Sequence, residues 1–128
     1  MPYRRRHSRG YRLETRRVGL AELYIQAYTR EVRFNWDAPK SSRNLRERGF
    51  DFEFATQIFD APTLERVDSR RDYGERRIIA LGKAQDIALT VVYTDRAEVG
   101  GEIDRRIISA RKSSRREREA YKKATTAR

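Results

Sequence analysis

The chain reads as an α+β domain: a small antiparallel sheet arranged as a meander, with two N-terminal helices and a basic C-terminal helix. Three observations predict this class. Ile87 to Tyr93 is rich in β-branched residues and almost wholly apolar, as a central strand is. Two segments, after Asp37 and after Asp51, carry helix start and stop signals. Arg105 to Tyr121 passes from an apolar strand pattern directly into a strongly basic helical one.

The elements follow in order. Residues 1–30 are expected to be a basic extension, partly disordered, because Arg4, Arg5, Arg6, Arg9, Arg12, Arg16 and Arg17 are opposed by Glu14 alone up to residue 17. Within it, Leu20, Leu23, Tyr24, Ala27 and Tyr28 keep helical spacing and predict a short helix between Val18 and Tyr28. The domain proper spans 31–124. Val32, Phe34 and Trp36 alternate as a first strand, and Trp36 is expected in the core. Asp37 is placed to cap the next helix, Pro39 fits its first turn and Gly49 ends it. Phe52, Ala55, Ile58 and Phe59 mark a second helix, capped by Asp51 and stopped by Asp60 and Pro62. Leu64 to Val67 reads as an edge strand. Ile78 to Leu81 and Ile87 to Tyr93 read as a strand pair joined by a turn over Gly82 to Asp86, and Gly100-Gly101 marks another connection between Ala97 and Asp104. Ile107 and Ile108 face opposite sides of the last strand, so both need cover. Ser114 and Glu117 have capping-box spacing for the last helix, and 125–128 form a frayed tail.

At 128 residues there is room for one domain with a modest core. Apolar and charged residues each make up 38 %, and 30 Lys and Arg against 19 Asp and Glu give a net charge of +11, which favours a phosphate-rich partner, RNA foremost, and salt-sensitive binding. The absence of cysteine excludes disulfides, thiolate nucleophiles and Cys-based zinc sites. No apolar run reaches transmembrane length and none resembles a signal peptide, so a cytoplasmic protein without a membrane partner is expected. Neither a Gly-rich phosphate loop nor metal-ligand spacing occurs, and we expect neither cofactor nor metal.

Three blocks carry a resemblance to a known family: Phe34-Asn35-Trp36-Asp37 with Lys40 and Asn44; Gly74-Glu75-Arg76 leading to Leu81-Gly82; and Arg106-Ile107-Ile108-Ser109-Ala110-Arg111-Lys112 through Arg116-Glu117. From Val32 to Tyr121 the chain resembles the BrnT-type toxins of bacterial type II toxin–antitoxin systems. The resemblance implies a RelE-like fold and a growth-arresting ribonuclease. It also implies a ribbon-helix-helix antitoxin of the BrnA kind that masks the toxin, with operator DNA bound only through that antitoxin. The chain departs from the family pattern in having Glu47-Arg48-Gly49 where Lys-His-Gly is usual, a longer connection over Ala97 to Asp104, and some thirty residues ahead of the usual start.

Metal-independent RNA cleavage needs a base for the 2′-hydroxyl, donors for charge on phosphorus and an acid for the leaving oxygen. His7 is the sole histidine and lies in the extension, so arginines and carboxylates must serve. Arg76, Arg96 and Arg111 stand at strand ends and are expected to converge on one face of the meander, where two or three guanidinium groups could bind phosphate oxygens. The alternative for each is a structural ion pair, for instance with Glu75, Asp95 or Glu117. Glu117 is either a general base or the carboxylate that orients Arg111, and Tyr121, four residues on, either stacks on a base or packs on the sheet. Lys40, Arg48, Lys112, Arg115 and Arg116 are further candidates for contact with nucleic acid. The alternative is a catalytically silent nucleic-acid-binding or corepressor module with the same basic surface.

Overall fold

The structure is a computed structural model that describes residues 3–9, 14–18, 23–27, 31–97 and 102–126. It is an α+β domain. The strands are β1 (Tyr3–Arg9), β2 (Glu14–Val18), β3 (Leu23–Ala27) and β4 (Glu31–Asp37), then β5 (Thr63–Val67), β6 (Ile78–Ala84), β7 (Ile87–Ala97) and β8 (Ile103–Lys112). Helices α1 (Ala38–Arg48) and α2 (Phe52–Ala55), the latter continued by a 3-10 turn over Thr56–Asp60, lie between β4 and β5. Helix α3 (Arg115–Thr126) follows β8. Among the described residues the strands form one sheet in the order β1-β4-β8-β7-β6-β5-β3-β2.

Helix α1 forms where the sequence predicts it. Pro39 sits in the first turn, Gly49 adopts φ 87° at the C-terminus and donates its N–H to the Leu45 carbonyl, and Arg46 and Arg48 face the negative end of the helix dipole. Asp37 occupies the cap position without a side-chain cap bond. The buried residues of α1 are polar. Ser41 Oγ accepts from the Phe52 N–H (2.9 Å) and Asn44 Nδ2 donates to the Phe50 carbonyl (2.9 Å), so hydrogen bonds to the next turn moor the helix. In α2, Asp51 Oδ1 accepts from the Phe54 N–H at 2.8 Å as expected.

The two faces of the sheet carry separate cores. Val32, Phe34, Trp36, Ala80, Val91, Tyr93, Ile107 and Ala110 pack with Phe52, Ile58 and Phe59 on one face. Phe59 stacks on Phe34 and meets Tyr93 edge-on, both at 5.4 Å between ring centres. Leu64, Ile79, Leu81 and Val92 pack under Ala120, Tyr121 and Ala124 of α3 on the other. Arg105 lies within the first core, 1 % exposed, with Nε and Nη2 each 2.7 Å from an Asp95 oxygen and its guanidinium over Tyr93 and Phe59.

Several expectations are corrected. The sheet is mixed, because β4 pairs with β8 in parallel, Trp36 opposite Ile107. The helices of the β4–β5 connection and the β5–β7 strands intervene in sequence, so β8 returns to β4 as a crossover neighbour, and local patterns cannot show that. Where a disordered arm and a short helix were expected, the described residues form β1, β2 and β3. β1 pairs with β4 and β3 with both β2 and β5, so β5 is not an edge strand. Gly19, Leu20 and Tyr28 of the expected helix, Gly100-Gly101 and residues 127–128 lie outside the described residues, while α3 continues through Thr126 of the expected tail. The β6–β7 turn is tighter than predicted: Gln85 and Asp86, at φ 49° and 67°, form it alone. Among the described residues no helix is long and apolar enough to cross a membrane.

Gly82 therefore belongs to β6, against the 3-10 turn, where a Cβ would stand 2.8 Å from Ile58 Cβ. Gly82→Ala is expected to destabilise the fold by about 1–3 kcal/mol, read by denaturant unfolding. Unchanged stability would show that the Ile58 turn yields freely.

Candidate nucleic-acid interface

A groove of about 740 Å³ lies between α1 and the 68–77 segment that joins β5 to β6, with Ile108 and Ser109 of β8 in its lining. Lys40, Arg43, Asn44, Glu47 and Arg48 come from α1, and Arg70, Arg71, Tyr73 and Arg77 from the segment opposite. Six cationic side chains thus line it against one carboxylate, Glu47. The spacing of Lys40, Arg43, Asn44 and Glu47 places them on adjoining turns of one α1 surface. Arg77 precedes β6 in phase with Ile79 and Leu81, on the face that α3 covers farther along. Arg106, opposite Thr94, shares that face of the sheet.

Lys40 is half-buried. Burial first, then repulsion from Arg106, Arg77 and Arg43, holds its pKa below the usual lysine value, with Asp37 opposing. These cations are near enough to act on one ammonium, so the groove is a place where negative charge is stabilised.

The 68–77 segment is built around Asp68, which is buried. Its N–H donates to the Arg77 carbonyl (2.8 Å), and its carboxylate receives Arg70 Nε at 2.8 Å and Nη2 at 2.7 Å. The Arg70 side chain, then its backbone N–H and the Tyr73 hydroxyl, lower the Asp68 pKa to about 2 against the opposing effect of burial. Asp72 accepts from the Gly74 N–H at 2.9 Å, and Gly74 turns the chain at φ 70°. The Arg77 guanidinium lies 4.2 Å from the Tyr73 ring centre and Nε is 3.0 Å from Glu75.

Arg111 stands two residues beyond Ser109 on the same face of β8 and ends in a fork on Glu117, Nη1–Oε1 2.7 Å and Nη2–Oε2 2.9 Å. Glu117 also accepts from the Ser114 N–H (2.8 Å), and its own N–H reaches Ser114 Oγ (3.2 Å), which completes the expected capping box. These bonds, Arg111 foremost, hold the Glu117 pKa at about 2 despite partial burial. Behind them, Thr90 and Ser113 share a buried hydroxyl bond of 2.8 Å. Glu117 therefore holds the Arg111 guanidinium in place.

The other expected site residues divide. Lys40 and Arg48 line the groove, but Arg48 Nη1 donates to the Ala110 carbonyl at 2.8 Å and so straps α1 to β8. Tyr121 packs on the sheet, its hydroxyl donating to the Pro62 carbonyl at 3.0 Å, and burial raises its pKa. Arg115 meets Glu119 at 3.2 Å on the exposed face of α3. Arg116 borders a different hollow, with Leu64, Val67 and Leu81, and Lys112 is exposed opposite Leu89. The expected convergence of Arg76, Arg96 and Arg111 does not form. Arg96 lies opposite Asp104 and Arg111 opposite Thr90, at far ends of β8, roughly 20 Å apart at the usual rise per residue. Arg76 is exposed, with its carbonyl bonded to Thr94, and its neighbour Arg77 faces the groove instead. Arg43, Arg70, Arg71, Tyr73, Arg77 and Arg106 were missed as site residues. The α1 spacing from Lys40 and the β6 alternation would have found Arg43 and Arg77; nothing local marks the others. Among the described residues no cluster of three His, Asp or Glu is placed to hold a metal ion.

A family model described as the ribonuclease toxin BrnT of type II toxin–antitoxin systems matches residues 36–117, which contain the groove and the Arg111–Glu117 fork. No curated protein matches the chain.

The fork has a pH signature. The folded pKa of Glu117 lies below its ordinary value of 4.5, so its stabilisation is fully present above that pH and lost as pH falls towards about 2. Glu117→Gln is expected to cost about 1 kcal/mol at neutral pH, with the difference from the parent narrowing over that acid window. A difference that stays constant down to pH 2 would contradict the fork as the cause.

Proposed function

This chain belongs to the BrnT family of ribonuclease toxins of type II toxin–antitoxin systems, and we propose that it arrests growth by cutting RNA held in the groove between α1 and the 68–77 segment. The observation that carries this reading is the lining itself: six cations, one carboxylate, and a half-buried lysine whose charge its neighbours oppose. Such donors suit phosphate oxygens, and RNA supplies its own nucleophile in the 2′-hydroxyl. In the proposed step the 2′-hydroxyl gives its proton to water as O2′ bonds to phosphorus, and the P–O5′ bond breaks, with the Lys40 ammonium beside the phosphate. The products are a 2′,3′-cyclic phosphate and a 5′-hydroxyl that takes its proton from water. Arg77 and Arg106 stabilise charge on the phosphoryl oxygens. Arg111, oriented by Glu117, keeps donors beyond the fork for a neighbouring phosphate. No metal enters this step.

A type II system pairs the toxin with an antitoxin. We assign this one to the ribbon-helix-helix class, masking the basic groove with acidic side chains and binding operator DNA itself. A RelE-like fold and a cytoplasmic setting belong to the same reading.

Purified protein free of antitoxin is expected to cleave RNA in the presence of EDTA and to leave DNA intact. Lys40→Ala or Arg111→Ala should lower the rate by about a hundredfold or more, with folding retained by circular dichroism. RNA that is bound but left intact by the folded parent protein would favour the silent binding module instead.

A further inference from the structure

We propose that Tyr73 is the base-contacting residue of the groove, a stacking platform that makes the site selective for single-stranded RNA with an unpaired base beside the bound phosphates. The proposal rests on the RNA reading above and specifies its substrate. Two of the lining residues are aromatic, and they differ in access: Phe52 is 2 % exposed in the core, whereas the Tyr73 ring is half-buried at the groove.

Tyr73 is held before any ligand arrives. Arg77 lies 4.2 Å from the ring centre and is itself fixed by Glu75, and the Asp68 N–H closes the segment onto the Arg77 carbonyl. A ring fixed in this way loses little freedom on binding. The second guanidinium near the ring differs. Arg71 is exposed, 5.0 Å from the ring centre, and makes no ion pair among the described residues, so a base can displace it or continue the stack upon it. Lys40 and Arg43 stand across the groove to take the phosphates. A bare phosphate or an acidic peptide would use the cations without needing the ring. A duplex keeps its base faces stacked inside, whereas a single strand offers both a phosphate and an open base face.

The test uses the full chain and short RNA strands made uncleavable by 2′-O-methylation, with one abasic position walked along the strand and dissociation constants measured at fixed salt. The parent protein is expected to lose about tenfold in affinity when one particular base is removed. Tyr73→Ala should lose a similar factor on the intact strand and be indifferent to the abasic position, while Tyr73→Phe retains both affinity and the abasic effect. A folded Tyr73→Ala that binds as the parent does, or still senses the missing base, overturns the proposal and leaves the RNA reading standing. Equal affinity for duplex also overturns it, as does Tyr73→Phe failing like Tyr73→Ala, which would mean that the hydroxyl acts only to hold the loop. If the parent protein binds no RNA at all, both readings fall together.

Discussion

β8 has one more residue than β7 between two successive pairs, Ile107 with Tyr93 and Ser109 with Val92. Side chains alternate along a strand, so one added residue exchanges the faces of everything beyond it. Before the bulge, Arg105 and Ile107 enter the core beneath α2 while Arg106 looks outward. After it, Ala110 enters that core, and Ser109 and Arg111 turn to the groove face. A regular ladder would drive the Arg111 guanidinium into the core and bring Ala110 out, with a charge stranded against Leu89 and Val91. The groove floor, the fork to Glu117 and the entry angle of α3 all depend on this local irregularity.

The second organising constraint is the division of the basic residues into held and uncompensated ones. Arg105, Arg70, Arg77 and Arg111 are each fixed by a carboxylate, and Arg48 by a backbone carbonyl. Lys40, Arg43, Arg71 and Arg106 make no ion pair among the described residues, and three of these four line the groove. The held residues shape the walls, since a guanidinium fork fixes geometry in two directions at once. The uncompensated ones leave positive potential between those walls. With α1 moored through Ser41 and Asn44, its cations remain at the surface, free of the core.

Local signals were legible in the sequence and long-range ones were not. The Gly49 end of α1, the Asp51 cap, the Ser114–Glu117 box and the opposed faces of Ile107 and Ile108 each depend on residues within a few positions of one another, and each forms as read. The parallel pairing of β4 with β8 joins residues some seventy positions apart, and no local pattern encodes it. The pairing of β1 and β2 is not legible, because a run of arginines reads as a solvated arm whether or not it pairs. Of the residues singled out in the sequence, Lys40 and Arg48 line the groove and Arg111 pairs with Glu117, whereas the phase of β6 brings Arg77 and not Arg76 to the groove. Arg70, Arg71 and Tyr73 come to the groove through a loop folded around Asp68, and loop geometry of that kind is tertiary information.

On the proposed reading, nucleic-acid binding belongs to the groove and not to the net charge of +11 spread over the whole surface. The most direct measurement compares two double charge reversals for single-stranded RNA affinity across a salt series: Lys40→Glu with Arg106→Glu at the groove, and Arg66→Glu with Arg116→Glu at the hollow between β5 and α3. The groove pair is predicted to lower affinity more than tenfold and to reduce the salt dependence by about two phosphate contacts, while the second pair changes little. Equal losses from both pairs would overturn the groove as the binding site and reduce the binding to general electrostatic attraction.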